Sequence, residues 1–269
     1  MCRHVGYLGP PVSLHDLLWS PEHSLLQQSW APSDMRGGGT SNADGFGIGW
    51  YEAGSAEPAR YRNAGPMWTD VSFAEVARRT RSSAVLGAVR SATPGMPVVP
   101  TACAPFVDAP WLFSHNGVVR GWPDSLAPLA SELPVAELMT LDAPTDSAAL
   151  WALLRRRLRG GRDPVAAVRE LAEQVLAAAP ESRLNLLLTD GSRLIATACS
   201  HALAVRRGGD RGEEEVTVAS EPFGPASGWE PVPDRHLLVA DRDGVQFTPL
   251  QAGPAFAGIG ADTTNEGVA

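Results

Sequence analysis

The second residue of the chain, Cys2, is the first candidate for a catalytic group. Its thiol is a nucleophile, and removal of Met1, which is usual before a small residue, would leave a free α-amine on the same carbon. An α-amine has a reference pKa of about 7.7–8.0 and can accept the thiol proton near neutral pH. The opening residues therefore predict an N-terminal cysteine nucleophile, although any coding sequence can carry a cysteine at this position.

A cysteine that attacks an amide carbonyl needs hydrogen-bond donors for the developing oxyanion. One such side-chain donor contributes about 2.7–4 kcal/mol. The side-chain amide of Asn116 and the backbone N–H of Gly117 could supply two donors from one tight turn. The same Asn-Gly pair lies between two apolar runs, where it is also the commonest signal for a β-hairpin. Both interpretations stay open at this point.

Two charged residues could hold a substrate that carries its own charges. Arg90 ends a wholly apolar run, so its guanidinium must be paired, either with a substrate carboxylate or in an internal salt bridge. Asp146 lies at the start of a helical pattern and could receive an ammonium group. Its alternative role is a plain helix cap, which neighbouring Thr145 could also provide.

Periodicity and turn signals predict the elements that position these residues. Residues 2–8 form a first strand, and Ser13 caps a short helix through Trp19, before a long loop over 20–45. Further strands are expected at 46–51, 84–91, 111–119, 184–189, 193–198, 202–206, 216–220, 236–241 and 245–250, and further helices at 70–81, 146–158 and 164–178. Asp70 and Asp163 are the candidate caps of the first and last of these helices, and Asp190-Gly191 and Asp243-Gly244 predict hairpin turns. Hairpin turns throughout favour a mainly antiparallel α+β domain over residues 2–251, followed by a disordered tail over 252–269.

The strand at 46–51 carries glycine at alternate positions. Gly45, Gly47 and Gly49 leave one face of the strand without side chains. A strand has such a bare face where another backbone or a ligand approaches closely. The spacing does not fit a dinucleotide-binding fingerprint, because a strand follows and not a helix.

Composition excludes several classes of function. The net charge of −8 argues against nucleic-acid and anionic-membrane partners, and no run is apolar enough to span a membrane. All 22 basic residues are arginine, which excludes a Schiff-base or P-loop lysine. Three scattered cysteines predict neither a disulfide framework nor a zinc site, so we expect a cytoplasmic protein without metal or cofactor. An alternative, copper or nickel chelation by Cys2-Arg3-His4, requires a chain start that is free to wrap the metal.

Together these segments resemble the class II glutamine amidotransferases, a family of N-terminal nucleophile hydrolases. The resemblance rests on Cys2-Arg3-His4, on the turn and strand from Asn42 to Trp50, and on Arg90-Ser91-Ala92-Thr93, His115-Asn116-Gly117, Asp146-Ser147 and Ala219-Ser220-Glu221-Pro222, in that order. It implies a four-layer αββα sandwich of two mainly antiparallel sheets. One departure concerns Pro94, where many members have a histidine, so the rim of the glutamyl pocket is expected to differ.

The resemblance also implies roles for single residues. Cys2 is the nucleophile, Asn116 and Gly117 form the oxyanion hole, and Arg90 and Asp146 bind the α-carboxylate and α-ammonium of a glutamyl group. Two residues of the same motifs, His115 and Thr93, are assigned to substrate binding.

Two activities follow from the resemblance. The chain resembles members that hydrolyse a γ-glutamyl amide, and we expect no second domain that would receive ammonia. Such an enzyme needs a small γ-glutamyl substrate and no stable protein partner. The alternative is a glutaminase subunit that passes ammonia to a separate synthase.

Overall fold

Antiparallel strands make up most of the structure. The computed structural model describes residues 2–34, 41–209, 212 and 214–251. Thirteen strands lie within these residues: β1 (Arg3–Ser13), β2 (Phe46–Tyr51), β3 (Pro58–Asn63), β4 (Arg81–Val89), β5 (Phe106–Asp108), β6 (Trp111–Val118), β7 (Arg183–Thr189), β8 (Leu194–Ala198), β9 (Ala204–Arg207), β10 (Val216–Ala219), β11 (Trp229–Pro231), β12 (His236–Ala240) and β13 (Val245–Pro249).

The helices lie between the strands in two groups. They are α1 (Leu14–Leu18), α2 (Leu25–Gln28), α3 (Val71–Arg79), α4 (Ala127–Ala130), α5 (Val135–Met139), α6 (Asp146–Arg159) and α7 (Pro164–Ala178), with short 3-10 turns at Met67–Thr69 and Pro100–Ala102. The first group, α1 to α3, follows early strands, and the second, α4 to α7, separates β6 from β7.

The strands form two antiparallel sheets. The first has the order β11-β9-β10-β1-β4-β2-β3, and the second has the order β13-β12-β8-β7-β6-β5. The N-terminal strand β1 therefore lies in the middle of its sheet, hydrogen-bonded to β10 on one side and β4 on the other. Residues at the start of β1 are held by neighbours on both sides.

The structure has four layers, two of helices and two of strands, and a hydrophobic cluster lies between each pair of adjacent layers. The cluster between the two sheets includes Leu86 and Leu187. A second cluster joins the first sheet to α1, α2 and α3, and a third joins the second sheet to α6 and α7. The predicted four-layer αββα sandwich is confirmed, because each sheet buries one face against its partner and the other against helices.

Helix starts follow the predicted capping signals. The side chains of Ser13, Asp70 and Asp163 each accept a hydrogen bond from a first-turn N–H at 2.9 Å. At α6 the cap is Thr145, which accepts at 3.2 Å. Because Thr145 caps the helix, Asp146 is not needed for that purpose.

The Asn116-Gly117 pair is not a hairpin turn, so that alternative is wrong. Both residues lie inside β6, where they pair with Asn185 and Leu184 of β7. The pair carries glycine because a Cβ at Gly117 would lie 1.8 Å from the Arg183 carbonyl oxygen. The Asn-Gly signal thus reflects close approach of a neighbouring strand and not a chain reversal. The hairpins predicted at Asp190-Gly191 and at Asp243-Gly244 are present.

The glycine-rich face of β2 contacts another backbone, as predicted. A Cβ at Gly47 would lie 2.3 Å from the Ala104 carbonyl oxygen, and a Cβ at Gly49 would lie 2.7 Å from Leu112. This close approach brings the segment that contains Ala104 against the first sheet.

Several elements differ from the predicted pattern. Strands β3, β5 and β11 were not predicted, and the loop expected at 20–45 contains α2. Residues 35–40 of that loop, and the predicted disordered tail at 252–269, lie outside the described residues. The short strands β5 and β11 have three residues each, too few for a periodic pattern.

Candidate active site

Cys2 lies directly before β1, at the end of the central strand pair β1 and β4. Its Sγ accepts a hydrogen bond from the Ser91 N–H at 3.5 Å and lies 3.7 Å from the Ser91 carbonyl oxygen. The side chain is half-buried.

The next residue, Arg3, holds the backbone of Cys2 in place. Its Nη1 donates to the Cys2 carbonyl oxygen at 2.9 Å, and its Nε donates to Glu221 Oε1 at 2.5 Å. A further guanidinium nitrogen donates to the Asp34 carbonyl oxygen. Arg3 and Glu221 are only 1% and 3% exposed, so neither charge is solvated by bulk water.

Glu221 also holds the segment that precedes the glycine-rich strand. Its carboxylate accepts from His23 Nε2 at 2.6 Å and from the backbone N–H groups of Ser33 and Asp34 at 2.8 and 3.2 Å. Burial alone would raise the pKa of Glu221. The hydrogen bonds from Ser33 and His23 and the charge of Arg3 outweigh burial, so the pKa lies below its usual range. Glu221 therefore stays ionised near neutral pH.

His4 points into the space between the two sheets. Its Nδ1 lies 3.2 Å from Ser114 Oγ, and its backbone N–H donates to Ser220 Oγ at 2.9 Å. Burial is the main cause that lowers the pKa of His4 to about 3, and the neighbouring His115 and His201 rings and the Arg3 guanidinium lower it further. His4 is thus neutral at physiological pH and links β1 to β6 as a hydrogen-bonding group.

The predicted oxyanion donors lie close to these residues. Asn116 is fully buried, and its Nδ2 donates to the Ser220 Oγ that His4 also contacts, at 2.9 Å. The Asn116 Oδ1 is buried without a hydrogen-bond partner in the part of the chain that the structure describes. Asn116 and Gly117 do not line the cavity beside Cys2.

Arg90 lies beside Cys2, and no described residue supplies a carboxylate partner for it. It is 9% exposed, and its Nη1 donates to the Pro97 carbonyl oxygen at 2.9 Å. No acidic side chain of residues 2–34, 41–209, 212 or 214–251 lies within 4 Å of its guanidinium. The Asp44 carboxylate accepts from the Ala92 N–H at 2.8 Å and so fixes the chain that follows Arg90. The internal salt bridge considered for Arg90 is absent from these residues.

The Asp146 carboxylate is 4% exposed and is held by the backbone. It accepts from the N–H groups of Val119 and Ser147 at 2.9 and 2.7 Å. No arginine or histidine side chain in the described segments is paired with it. Because Val119 directly follows β6, its hydrogen bond to Asp146 places this buried carboxylate near the His115-Asn116-Gly117 stretch.

His115 joins this stretch to the start of α6. Its Nε2 lies 3.1 Å from the Arg183 carbonyl oxygen, and its Nδ1 lies 2.9 Å from Ser147 Oγ. A carbonyl oxygen only accepts, so Nε2 carries the proton, and in the neutral ring Nδ1 accepts from the Ser147 hydroxyl. Thr93, the other predicted binding residue, is exposed and lies outside the cavity lining.

A small cavity adjoins the thiol, and we call it the Cys2 cavity. It is lined by Cys2, Phe46, Ala88, Val89, Arg90, Ala102, Ala104, Phe106, Ser114, His115 and Ser147. Its volume is about 20 Å³, which is room for about one water molecule. A larger group can enter only if part of the lining moves, and the lining residues that lie outside the strands are Cys2, Arg90, Ala102, Ala104 and Ser147.

The other cysteines are poor nucleophiles. Burial raises the pKa of Cys103 to about 11 and that of Cys199 to about 12. Over the described residues, no group of three or more His, Cys, Asp or Glu side chains is placed to hold a metal ion. In the same residues, every helix is too short or too polar to cross a membrane.

Comparison with known proteins identifies the family. Residues 23–213 match the glutamine amidotransferases class-II. The chain belongs to the class II glutamine amidotransferases. As a member of that family it is an amidohydrolase, and the predicted family resemblance is confirmed.

Two mycobacterial relatives of this class II glutamine amidotransferase have assigned activities. A protein of Mycobacterium tuberculosis (strain CDC 1551 / Oshkosh) named gamma-glutamyl-hercynylcysteine sulfoxide hydrolase is 42% identical over 250 residues, covering 93% of this chain and 97% of the relative. A protein of the same name from Mycolicibacterium smegmatis is 42% identical over 252 residues, covering 93% of this chain and all of the relative.

Solved structures share the fold of this class II glutamine amidotransferase. A glutamine aminotransferase class-II domain protein of Silicibacter pomeroyi has a TM-score of 0.63 at 24% identity, covering 93% of this chain and 100% of that one. The glutamine phosphoribosylpyrophosphate amidotransferase of B. subtilis has a TM-score of 0.61 at 15% identity, covering 94% of this chain and 50% of that one. Both support the four-layer architecture.

Sequence reasoning missed the partners of the predicted residues. It placed Arg3 and His4 in the first strand, which agrees with the structure, but it did not pair Arg3 with Glu221. A signal existed, because an arginine in an otherwise apolar strand requires a buried counter-charge. Nothing local identified the counter-charge, which lies 218 residues away.

His4 makes stability depend on pH. Its folded pKa of about 3 lies below the reference value of 6.5, so the unfolded chain binds the extra proton as pH falls. Between about pH 7 and pH 5 this linkage lowers the free energy of unfolding by about 2 kcal/mol. Urea denaturation at several pH values should show that His4→Asn reduces this slope. Equal slopes in the wild type and the variant would contradict the assignment.

Substitution of Glu221 tests the contribution of the buried Arg3–Glu221 ion pair to stability. Glu221→Gln leaves the Arg3 guanidinium buried without its carboxylate, which should lower the free energy of unfolding by about 3–5 kcal/mol. The matched control is Glu75→Gln, because the Glu75–Arg78 pair is 70% and 51% exposed. We expect the control to change stability by less than about 0.5 kcal/mol. A comparable, small effect in both variants by urea denaturation would refute the role of Glu221.

Proposed function

We propose that the protein hydrolyses the γ-glutamyl amide of γ-glutamyl-hercynylcysteine sulfoxide and releases glutamate, a step of ergothioneine biosynthesis. Support comes from the 42% identity to two hydrolases of that name over nearly their whole length. The main structural support for the site is the environment of Arg90. Its guanidinium lies next to the Cys2 thiol, is nine-tenths buried, and has no acidic partner among the described residues.

The reaction runs through a thioester. After removal of Met1, the α-amine of Cys2 accepts the thiol proton, and the sulfur attacks the γ-carbonyl carbon. The amine half leaves with a proton as the C–N bond breaks. Water then attacks the thioester and releases glutamate and the thiol. The Arg3–Glu221 pair fixes the backbone of Cys2, which holds the sulfur near the position from which it attacks.

Charges of opposite sign recognise the glutamyl half. The fork of Arg90 binds the α-carboxylate, and the backbone-held carboxylate of Asp146 binds the α-ammonium. Asn116 and Gly117 stabilise the oxyanion. In the structure one N–H of the Asn116 amide donates to Ser220 Oγ, and the second N–H of the same amide is the proposed donor to the oxyanion. His115 orients Ser147 at the cavity wall.

Cys2 is the first test. Glutamate release from a panel of γ-glutamyl amides should fall at least about 10³-fold in Cys2→Ala. The same loss is expected when an uncleavable residue precedes Cys2, because the amine then becomes an amide. Cys199→Ala, which alters a buried thiol at the end of β8, should retain activity. Undiminished release from Cys2→Ala would falsify the mechanism.

The same panel separates the two candidate activities. The wild-type enzyme should hydrolyse the bulky sulfoxide conjugate at least about tenfold more efficiently than glutamine, measured as kcat/KM. A preference for glutamine that increases on addition of a synthase would instead identify a glutaminase subunit.

The role of Arg90 is tested with a substrate that lacks the α-carboxylate. Arg90→Gln should raise KM for the conjugate about 10- to 100-fold, because a charge-assisted hydrogen bond contributes about 1.5–3 kcal/mol. A conjugate built on 4-aminobutyrate lacks the α-carboxylate. The wild type and Arg90→Gln should therefore hydrolyse it equally poorly. If the substitution impairs both conjugates alike, Arg90 does not bind the carboxylate.

A further inference from the structure

A second, larger pocket opens on the other side of the central strand from Arg90. We call it the Pro222 pocket. It is lined by His23, Ser33, Asp34, Ala202, Ser220, Glu221 and Pro222, and its volume is about 570 Å³. The roles proposed for Cys2, Arg90, Asp146 and Gly117 use none of its side chains. Ser220 accepts hydrogen bonds from His4 and Asn116, and Glu221 is the counter-charge of Arg3.

Strand register determines where this pocket lies relative to Cys2. Val5 pairs with Ala219 of β10, and Arg3 pairs with Val89 of β4. Continuing both registers to the start of the chain places Cys2 between Pro222 on one side and Arg90 on the other. Neighbouring strands are roughly 4.8 Å apart, so both residues flank the nucleophile within about one strand spacing.

A substrate whose γ-carbonyl lies at Cys2 has two halves to place. The glutamyl half extends toward Arg90 and the Cys2 cavity, on the β4 side. The leaving amine departs from the same carbon in another direction, and the open space on the β10 side is the Pro222 pocket. Ser220 joins the two regions, because its Oγ accepts from the Asn116 amide and its side chain lines the pocket.

We propose that the Pro222 pocket binds the amine half of the substrate and that this half is a bulky, polar, amino-acid-derived amine. This inference rests on the proposed function. Ammonia, the leaving group of glutamine, needs no such space, whereas a pocket of about 570 Å³ has the size of a typical small-molecule site. Its wall includes the polar residues Ser33 and His23, which suit a polar amine.

A neighbouring pocket provides the matched control. The Arg206 pocket lies on the other side of His23 and Pro222, has a volume of about 740 Å³, and is lined by Ala226 among others. Its size alone would make it an equal candidate. It does not include Ser220, the residue in contact with the predicted oxyanion donor.

The test fills one pocket at a time. Ala202→Phe and, from the opposite wall, Ser33→Phe fill the Pro222 pocket, and Ala226→Phe fills the Arg206 pocket. For each variant, kcat/KM is measured with the sulfoxide conjugate and with γ-glutamylmethylamide, whose leaving group is methylamine. We expect both fillings of the Pro222 pocket to lower the ratio of the two values at least about tenfold, mainly through KM, and Ala226→Phe to keep the wild-type ratio.

Product inhibition gives an independent measurement. Filling the Pro222 pocket should raise the inhibition constant of the amine product at least about tenfold and leave that of glutamate near its wild-type value. An unchanged ratio in both fillings of the Pro222 pocket, or a fall confined to Ala226→Phe, would overturn the assignment. If the wild type cleaves no γ-glutamyl amide, the proposed function fails. If it cleaves both substrates and the ratio is insensitive to the fillings, only the pocket assignment fails.

Discussion

The buried pair of Arg3 and Glu221 is the interaction on which the arrangement of the site depends. Moving two charges out of water costs several kcal/mol for each ion, and only close pairing with further hydrogen bonds offsets that cost. Arg3 therefore has to meet Glu221, and Glu221 also accepts hydrogen bonds from His23 and Ser33. The same contacts hold the Cys2 carbonyl oxygen and the segment over residues 23–34. A change at any of these contacts therefore acts on the position of the nucleophile.

Features of the fold that depend on residues close together in the chain could be predicted from the sequence. Ser13, Asp70 and Asp163 cap helices because a short oxygen-bearing side chain satisfies a first-turn N–H wherever a helix starts. The bare face of β2 was predictable because alternate glycines have few other uses in a strand. The four layers followed from the resemblance, and from hairpin signals that favour antiparallel sheets.

The parts that could not be predicted depend on contacts between distant segments. Asn116-Gly117 has the local signature of a turn, yet it lies within a strand because the Arg183 carbonyl oxygen approaches Gly117. Local pattern also left Thr145 and Asp146 equivalent as caps, and only the contact between Asp146 and the Val119 N–H separates them. In each case the sequence identified the residue types that carry the chemistry, while long-range packing determined their partners.

The two sides of Cys2 imply two different kinds of recognition. On the Arg90 side the cavity is nearly filled, at about 20 Å³, and the buried guanidinium has no acidic partner among the described residues, so under the proposed function it selects by charge. A buried polar group that only the correct ligand satisfies rejects other ligands strongly, because a wrong ligand leaves that group unpaired. On the Pro222 side, at about 570 Å³, selection depends on size and on scattered polar groups, which discriminate less sharply. Under the proposed function, the glutamyl half is therefore the constant part of the substrate. Divergence within the family is then expected to concentrate around Ala202 and Pro222, where a change would alter the leaving group without disturbing the Arg3–Glu221 pair.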